Sequence, residues 1–461
     1  MAGSRPLSLP RDTGGMTLPD GYRIIPLDDR ARLDDVLEVD TWAFPIEHGL
    51  DELRQLPSPL PWGRMWGIEA VEPPAGSLAP ANALAGMYGA YDLRAFPVPG
   101  DETACSWVTW VGVHPSHRRR GLLRSMIAHH FAEARGRGES LSVLNAAEAG
   151  IYGRFGYGHA APTLSLTVPR GAELRPVAGS DALRGEFLTW DPEAHGDLVG
   201  ALHRSVAQVP VGIGRPGWAT WETPELRRAQ DADPAILHRG KEALRLLVVS
   251  DASGQAQGYA RFRRSVNWDG AVPDGTVEVR DIVALTPAAA HRLWSLLLDL
   301  DLTNRATVDM LPVDDPIMHL LIDVRAAEPR LRDLVWVRIL DLPAALAARR
   351  YAAPIDLVLD VHDALIPENA GRWRVTVTEA FGPASVERVG AGGVLGAGVR
   401  GAGGVADLVL DIDALGAAHL GSTSLAALAL AGRVEARDPR VLAAAAVAWS
   451  WPIAAGADWE F

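Results

Sequence analysis

One stretch of the sequence, residues 106–131, restricts the fold more than any other because its hydrophobic pattern changes from strand to helix. Residues 106–111 are mostly aromatic or β-branched, which predicts a β-strand. From residue 122 onward, apolar side chains recur at helical spacing and predict an amphipathic helix. Further strands are predicted at residues 22–27, 66–71, 84–93 and 141–145. Together these elements predict a mixed sheet with helices on its faces.

A short basic loop joins this strand to this helix, and its residues indicate what it binds. Arg118, Arg119 and Arg120 precede Gly121, directly before the helix. The first turn of a helix leaves backbone N–H groups without partners and favours an anion. Arginines add charge-assisted hydrogen bonds to phosphate oxygens, and glycine has no Cβ at the point of closest approach. The loop is therefore predicted to hold a pyrophosphate; the alternative is an ordinary solvated run of arginines.

Length, charge and cysteine content limit the classes of function. A chain of 461 residues is expected to form two or three domains. The net charge of −13 argues against a nucleic acid or an anionic membrane as partner and suits a cationic acceptor. Cys105 is the one cysteine, which excludes an intrachain disulfide and a cysteine metal cluster, and we expect no metal ion. Because no segment resembles a signal peptide or a membrane span, a cytoplasmic protein is expected.

The basic loop resembles the acetyl-CoA motif of the GNAT family of N-acetyltransferases, which is Arg/Gln-x-x-Gly-x-Gly/Ala. Residues 118–123 are Arg-Arg-Arg-Gly-Leu-Leu, so Leu123 stands where the family has a small residue. In the GNAT fold two strands separate and the thioester lies between them, so a phenol after the second strand can protonate the leaving thiolate. Tyr152 has this position. Tyr157 competes with it, and the alternative is an aromatic packing residue in a glycine-rich turn.

Residues 150–158, Gly-Ile-Tyr-Gly-Arg-Phe-Gly-Tyr-Gly, together with residues 113–124 resemble the enhanced-intracellular-survival (Eis) family of N-acetyltransferases. The resemblance implies an α/β (α+β) chain of tandem GNAT domains with mixed central sheets, followed by an α+β domain similar to sterol carrier protein 2. The expected ranges are 20–165 for the catalytic domain, 166–335 for a degenerate GNAT domain and 336–461 for the sterol-carrier-like domain.

The Eis resemblance also implies roles for individual residues. Tyr152 takes the general-acid position, and the C-terminal carboxylate of Phe461 returns to the first domain as the general base. Glu148, or a water chain from the acidic segment near Asp34, is the alternative base. Acetyl-CoA is the implied co-substrate, and the residues expected to contact it are Val111, Gly112, Val113, Arg119, Arg120, Gly121, Leu122, Leu123, Arg124, Ala147 and Glu148. The residues expected to contact the acceptor are Trp42, Trp110 and Glu460.

The rest of the chain predicts an internal repeat and a different final domain. Residues 277–285 predict a strand that leads through a loop into a helix, as in the first unit but without its arginines and glycine. In the last third, residues 356–361 and 407–412 alternate as strands do, and alanine-rich helices are predicted near residues 424–430 and 441–447.

These features predict an acetyl-CoA-dependent N-acetyltransferase that acetylates primary amines of cationic small molecules by direct attack in a ternary complex. The Eis resemblance implies aminoglycosides as acceptors, acetylated at one or several amines, and a homohexamer. Two alternatives stay open. One is a protein-lysine or polyamine acetyltransferase, and the other is a lipid- or sterol-binding carrier with vestigial acetyltransferase domains.

Overall fold

The strands of both predicted strand–loop–helix units belong to one sheet of twelve strands. The computed structural model describes residues 18–72, 76, 78–208, 213–390 and 406–460, so Phe461, the predicted general base, lies outside the described residues. The strands are β1 Tyr22–Leu27, β2 Met65–Ala70, β3 Ala83–Val98, β4 Asp101–Val113, β5 Leu141–Asn145, β6 Gly158–Pro169, β7 Arg184–Thr189, β8 Arg245–Ser250, β9 Ala256–Ser265, β10 Trp268–Asp269, β11 Val272–Pro273, β12 Gly275–Ala284, β13 Thr303–Leu311, β14 Arg330–Ile339, β15 Arg350–Tyr351, β16 Ile355–His362, β17 Gly371–Val377, β18 Gly382–Pro383, β19 Ser385–Arg388, β20 Leu408–Asp411 and β21 Val434–Ala436.

Helices cover the faces of this sheet and the end of the chain. They are α1 Leu33–Ala43, α2 Leu50–Leu53, α3 Leu122–Gly136, α4 Ala149–Tyr152, α5 Pro192–Ser205, α6 Pro224–Asp231, α7 Pro287–Leu297, α8 Ile317–Leu320, α9 Leu342–Ala348, α10 Ile412–Ala418, α11 Leu425–Leu430 and α12 Pro439–Trp449. None of the described helices combines the length and the apolar character that a membrane crossing requires.

The large sheet runs through both GNAT regions without interruption, in the order β1-β2-β3-β4-β5-β14-β6-β13-β12-β9-β8-β7. Its central feature is β14, which comes from the end of the second region but lies between β5 and β6 of the first. Val335 to Ile339 pair antiparallel with Asn145 to Leu141 of β5. The first half of the sheet is therefore completed by a strand that follows it by almost two hundred residues in the chain.

The C-terminal domain has its own five-stranded sheet, in the order β19-β17-β16-β20-β21. The two alternating patterns predicted in this region become β16 and β20, which are parallel neighbours. Helix α10 packs directly on β6 and β14 of the large sheet. The contact is so close that a Cβ on Gly158 would lie 1.9 Å from the carbonyl oxygen of Asp413. This glycine therefore permits the C-terminal domain to dock on the large sheet.

Residues 451–460 run between the domains instead of extending into solvent. The Nε1 of Trp459 donates to the carbonyl oxygen of Ala219 at 2.9 Å, and the ring of Trp459 lies 5.0 Å from that of Trp107. The carboxylate of Asp458 is 2.9 Å from Nε2 of His203. Because the tail is buried as far as Trp459, the position of Glu460 is set by tertiary contacts.

The mixed sheet with helices on its faces is observed as predicted, and the last third of the chain forms a separate α+β unit. Individual strands differ in length from the prediction. The predicted strand at residues 84–93 is the first part of β3, and the predicted strand at 106–111 lies inside β4. Both extend beyond the predicted ends because β3 and β4 form a long antiparallel pair, with Val98 opposite Asp101.

Candidate active site

The loop between β4 and α3 leaves the first turn of the helix open. Gly121 is the N-cap residue of α3, with φ 84° and ψ 0°, and it supplies no side-chain cap. The first N–H group bonded back into the helix is that of Ser125, which donates to the carbonyl oxygen of Gly121. A Cβ on Gly121 would meet no atom within 4 Å, so there is enough space for a side chain here. Glycine is favoured because the positive φ would strain any other residue. The N–H groups of residues 122–124 are thus presented at the end of the helix, where an anion is favoured.

Four arginines surround this helix end without being neutralised by neighbouring acids. Their side chains are exposed, and none forms an ion pair with a carboxylate of the described residues: Arg118, Arg119, Arg120 and Arg124. Arginines at the other end of the same helix behave differently, since Arg135 pairs with Glu368 and Arg137 with Asp92. Arg119 has φ 62°, in the left-handed region. The loop therefore has the free positive charge and the open N–H groups that a pyrophosphate requires.

Beside this loop, β4 and β5 separate. The two parallel strands pair only from Cys105 with Leu141 to Trp107 with Val143. Beyond this point β4 continues to Val113, and a register shift relative to β3 coincides with a positive φ of 53° at Trp110. The separation leaves an opening between the strands, close to the start of α3.

A cavity of about 400 Å³ occupies this opening. Residues from α1, β4, β5, α4, β14 and the C-terminal tail meet here. The lining consists of Asp40, Phe44, Val108, Thr109, Trp110, Val111, Leu144, Asn145, Ala146, Ala147, Tyr152, Asp333, Leu334 and Glu460. Among the described residues, no group of three or more His, Cys, Asp or Glu side chains is arranged to hold a metal ion.

Five of the predicted site residues line this cavity: Trp110, Val111, Ala147, Tyr152 and Glu460. Two others are placed elsewhere. Trp42 is 54% exposed and packs edge-on against His114, while Phe44 from the same segment lines the cavity instead. Glu148 is exposed as the N-cap residue of α4, and it is not part of the lining.

The remaining predicted cofactor residues belong to the strand end and the helix start. Gly112 faces α1, since a Cβ there would lie 3.2 Å from the Cβ of Ala43. Val113 ends β4 and is half-buried. Leu122 is buried beneath the first turn of α3, and Leu123 is half-buried against two hydrophobic clusters. The apolar side chains of these two leucines therefore anchor the helix while its backbone N–H groups face outward.

The structure separates the two tyrosines that the sequence left in competition. Tyr152 lines the cavity, and burial raises the pKa of its phenol to about 12. Tyr157 is fully buried away from the lining, with its hydroxyl 2.7 Å from that of Ser142, and burial raises its pKa as well. Because Tyr152 lines the cavity and its phenol stays protonated at neutral pH, it is the better candidate of the two to donate a proton there.

Sequence reasoning missed five polar or aromatic residues of this lining: Asp40, Phe44, Thr109, Asn145 and Asp333. Asp40 is the last carboxylate of an acidic stretch whose composition was visible, but its orientation was not. Asp333 lies near the start of β14, so it reaches the cavity only because that strand inserts beside β5. No local pattern around residue 333 indicates this long-range pairing.

Known families and relatives match most of this chain. Residues 27–160 and 215–339 each match an acetyltransferase (GNAT) domain family, and residues 342–454 match the sterol carrier protein domain family. An uncharacterized N-acetyltransferase of Streptomyces coelicolor is 38% identical over 81% of this chain and 85% of its own length. The N-acetyltransferase Eis of Mycobacterium tuberculosis is 32% identical over 79% of this chain and 82% of its own length.

The chain belongs to the Eis family of N-acetyltransferases. The crystal structure of Eis1 from Mycobacterium abscessus agrees with this assignment. It superimposes with a TM-score of 0.72 at 28% identity, covering 95% of this chain and all of that one. GNAT acetyltransferases use acetyl-CoA, and this Eis-family chain is an N-acetyltransferase.

Proposed function

We propose that this Eis-family enzyme transfers the acetyl group of acetyl-CoA to a primary amine of a cationic small molecule, with aminoglycosides as the first acceptors to test. The observation that carries the proposal is the division of charge around one cavity. Arginines that pair with no carboxylate of the described residues lie at the loop beside it, whereas Asp40, Asp333 and Glu460 line it. An anionic cofactor and a cationic acceptor would thus approach from chemically different sides.

The residues at the strand end and the helix start fit acetyl-CoA. The N–H groups of residues 122–124, together with Arg119, Arg120 and Arg124, would hold the pyrophosphate. The backbone of β4 from Val111 to Val113 would pair with the pantetheine arm, because β5 no longer pairs with this part of β4. Ala147 would line the same path. When bound, acetyl-CoA supplies an activated acyl group as its thioester.

Direct attack within a ternary complex is the mechanism that the cavity supports. The nitrogen–carbon bond to the acetyl group forms as the carbon–sulfur bond breaks, so the leaving thiolate needs one proton and the amine must lose one. Tyr152 would supply the first. The chain's one cysteine, Cys105, is buried outside the lining and its pKa is raised by burial, so it offers no covalent route.

The carboxylate at the C-terminus would receive the amine's proton. Phe461 itself lies outside the described residues, but the residue before it, Glu460, lines the cavity. The tail reaches this position through contacts with the second GNAT region: Gly456 N–H donates to the carbonyl of Pro216 at 3.0 Å, and Trp459 is bonded to Ala219. Trp110 and Glu460 would contact the acceptor, whereas Trp42 packs against His114 outside the lining.

The direct test incubates the purified enzyme with acetyl-CoA and a panel of amines: tobramycin, spermine, Nα-acetyl-lysine and a lysine-containing peptide. Mass spectrometry would count the acetyl groups on each product. We expect acetylated tobramycin at the highest kcat/KM, and repeated acetylation would appear as products carrying more than one group. Preference for the peptide or spermine would replace aminoglycosides as the acceptor class, and a failure to acetylate any amine would contradict the proposal.

We also propose a homohexamer, on the strength of membership in the Eis family. Light scattering coupled to size-exclusion chromatography would measure the mass in solution. We expect a mass about six times that of one chain, and a monomeric mass would contradict the proposal.

A further inference from the structure

Helix α1 carries four carboxylates, and one of them differs from the others. Asp34 pairs with Arg54 at 2.8 Å, Asp35 pairs with Arg32, and Glu38 accepts a hydrogen bond from Trp42 Nε1 at 3.1 Å. Asp40 has no cationic or hydrogen-bonding side-chain partner in the described part of the chain, although it is only 8% exposed. The helix therefore ends with a carboxyl that is buried and unpaired.

Asp40 also differs from the other carboxylates that are buried in the described residues. Each of them is paired with a basic side chain: Glu69 with Arg23 and Arg32, Glu139 with Arg64, Asp231 and Asp281 with Arg261, Asp363 with Arg338, and Asp458 with His203. An unpaired buried carboxylate is costly because it loses its hydration without a compensating charge. Among the described residues, the fold neutralises the other buried acids and leaves Asp40 without a partner, which favours a partner supplied by a bound ligand.

The position of Asp40 identifies where that partner would bind. Asp40 lines the cavity between β4 and β5, together with Tyr152 and Trp110. A second unsatisfied acceptor lies in the same lining, because Oδ1 of Asn145 is buried without a hydrogen-bond donor from the described residues. The buried residue Asp40 and the buried Oδ1 of Asn145 receive no hydrogen bond from side chains of the described residues, which favours a ligand that brings N–H groups and positive charge; an alkylammonium has both.

We propose that Asp40 binds an ammonium group of the acceptor inside the cavity and so determines the specificity for cationic amines. This inference rests on the proposed function, because it takes the cavity to be the acceptor site. The ammonium would pair with the ionised carboxylate, and Asn145 would accept a further hydrogen bond from the same group. Asp40 is thus an acceptor-binding residue, distinct from the proposed acid Tyr152 and from the proposed base at the C-terminus.

Ionisation of Asp40 is coupled to this binding. Burial raises the pKa of its carboxyl to about 7, so the group is mostly neutral at pH 6 and mostly ionised at pH 8. The other ionisable groups of the lining are Asp333 on β14, Tyr152 at the end of α4 and Glu460 in the tail, while the β4 residues of the lining are uncharged. Asp333 is exposed and accepts from Trp336 Nε1, and Glu460 is exposed. Asp40 is the buried carboxyl of this set.

The test measures binding of spermine to the enzyme–CoA complex by isothermal titration calorimetry, without any turnover. Aliphatic amines titrate near pH 10, so spermine is charged at about pH 6 and a proton released there comes from the protein. Repeating the titration in buffers of different ionisation enthalpy counts these protons. We expect release of up to about one proton at pH 6, and about tenfold tighter binding at pH 8, because a carboxyl with a pKa of about 7 must ionise first.

Two matched variants test whether Asp40 is the group that binds spermine and releases the proton. Asp40→Asn keeps the side-chain shape, and we expect it to weaken spermine binding at least tenfold at pH 8 and to abolish the proton release at pH 6. Asp34→Asn removes an exposed, paired carboxylate from the same helix, and we expect it to change neither quantity. A purely structural role for Asp40 would not alter the number of protons released. Proton release that persists in Asp40→Asn would overturn the proposal.

Stability serves as the check on folding. The folded pKa of Asp40 lies above the value of about 3.9 for an unfolded chain, so this group destabilises the fold increasingly as the pH rises from about 4 through 7. We therefore expect Asp40→Asn to have a higher Tm than the wild type at pH 8 and a nearly equal Tm at pH 4. If the variant does not fold, the wild type alone decides the question. A wild type that releases no proton on binding spermine at pH 6 would overturn the proposal.

Kinetics separate this inference from the proposed function. If tobramycin or spermine is acetylated, Asp40→Asn should raise the KM for the amine at least tenfold and leave the KM for acetyl-CoA unchanged. Loss of kcat with an unchanged amine KM would place Asp40 in the chemical step and overturn the binding role. If no amine is acetylated, the proposed function fails, whereas proton-linked binding of spermine that depends on Asp40 would still support this inference.

Discussion

The two GNAT regions contain the same strand–loop–helix unit, and they differ in how the helix begins. In the first region α3 starts after Gly121 without a side-chain cap, so the N–H groups of residues 122–124 stay open. In the second region Thr286 caps α7 by accepting from Ala289 N–H, and Pro287 at the first position has no N–H to offer. The N-terminus of α3 therefore presents open N–H groups to an external anion, whereas the N-terminus of α7 is capped by its own residues.

Strand separation does not distinguish the two regions, because both have it. The parallel pair β12–β13 ends at Val279 although β12 continues to Ala284, much as β4 and β5 pair only as far as Trp107 and Val143. Each region also has a cavity of about 400 Å³ at this place. The opening is therefore a property of the fold, and the residues around it decide whether it can serve acetyl transfer.

The C-terminal tail meets both cavities, but in different ways. Pro452 and Ile453 line the second cavity, and Arg215 beside them is paired with Asp314 and bonded to the carbonyl of Ala454. Glu460 lines the first cavity. The second region thus uses its charged groups to hold the tail, which then supplies a carboxylate to the first. The second GNAT region therefore has a structural task, which is to hold this tail.

The largest expected effect tests whether the acid chemistry is confined to the first cavity. Tyr152→Phe keeps the ring and removes the hydroxyl, so kcat should fall on the order of 10²-fold while the Tm holds. Steady-state kinetics with acetyl-CoA and tobramycin would measure it. The matched control is Tyr157→Phe, which should keep its kcat and lose about 1 kcal/mol of stability with the bond to Ser142. A loss of kcat in the control instead would transfer the acid role to Tyr157.

The next effect tests the open helix end. Arg119→Ala combined with Gly121→Asp should raise the KM for acetyl-CoA at least tenfold, because one charged contact is worth roughly 1.5–3 kcal/mol and the new carboxylate repels phosphate. Isothermal titration with CoA would measure the affinity directly. If a folded double variant retains its affinity, the pyrophosphate is not bound at this loop.

A smaller effect tests the tail. Adding ten residues after Phe461 should lower kcat by about tenfold, because the terminal carboxylate moves away from the amine. The KM for acetyl-CoA should stay unchanged, since the arginines and α3 are untouched. An N-terminal tag of the same length is the control and should have no effect. Full kcat in the extended enzyme would remove Phe461 from the mechanism and favour Glu148 or a water chain from the acidic segment near Asp34.

The smallest effect concerns the second region. Thr286→Ala removes the cap of α7 and should lower the free energy of unfolding by about 1 kcal/mol. Chemical denaturation would measure this change. Neither kcat nor the KM for acetyl-CoA should change, because the second helix end binds no phosphate. A rise in the KM for acetyl-CoA would contradict the division of tasks between the two regions.

Local sequence determined the parts of this protein that depend on neighbouring residues. The arginines, Gly121 and the helix after them follow one another directly, so the sequence alone indicated an anion-binding helix end. The loss of this motif in the second copy was visible for the same reason. The three-domain architecture followed from hydrophobic patterning and from the resemblance of residues 113–158 to the Eis family, and it is confirmed.

Tertiary structure alone decided which side chains meet at the cavity. Tyr152 and Tyr157 are equivalent as sequence, and only their burial shows that one faces the cavity and the other bonds to Ser142. Asp333 reaches the cavity because β14 pairs with β5, and Asp40 is exceptional because no basic residue in the described part of the chain pairs with it. These properties depend on contacts between residues far apart in the chain, and side-chain pairing across such distances leaves no periodic signal in the sequence.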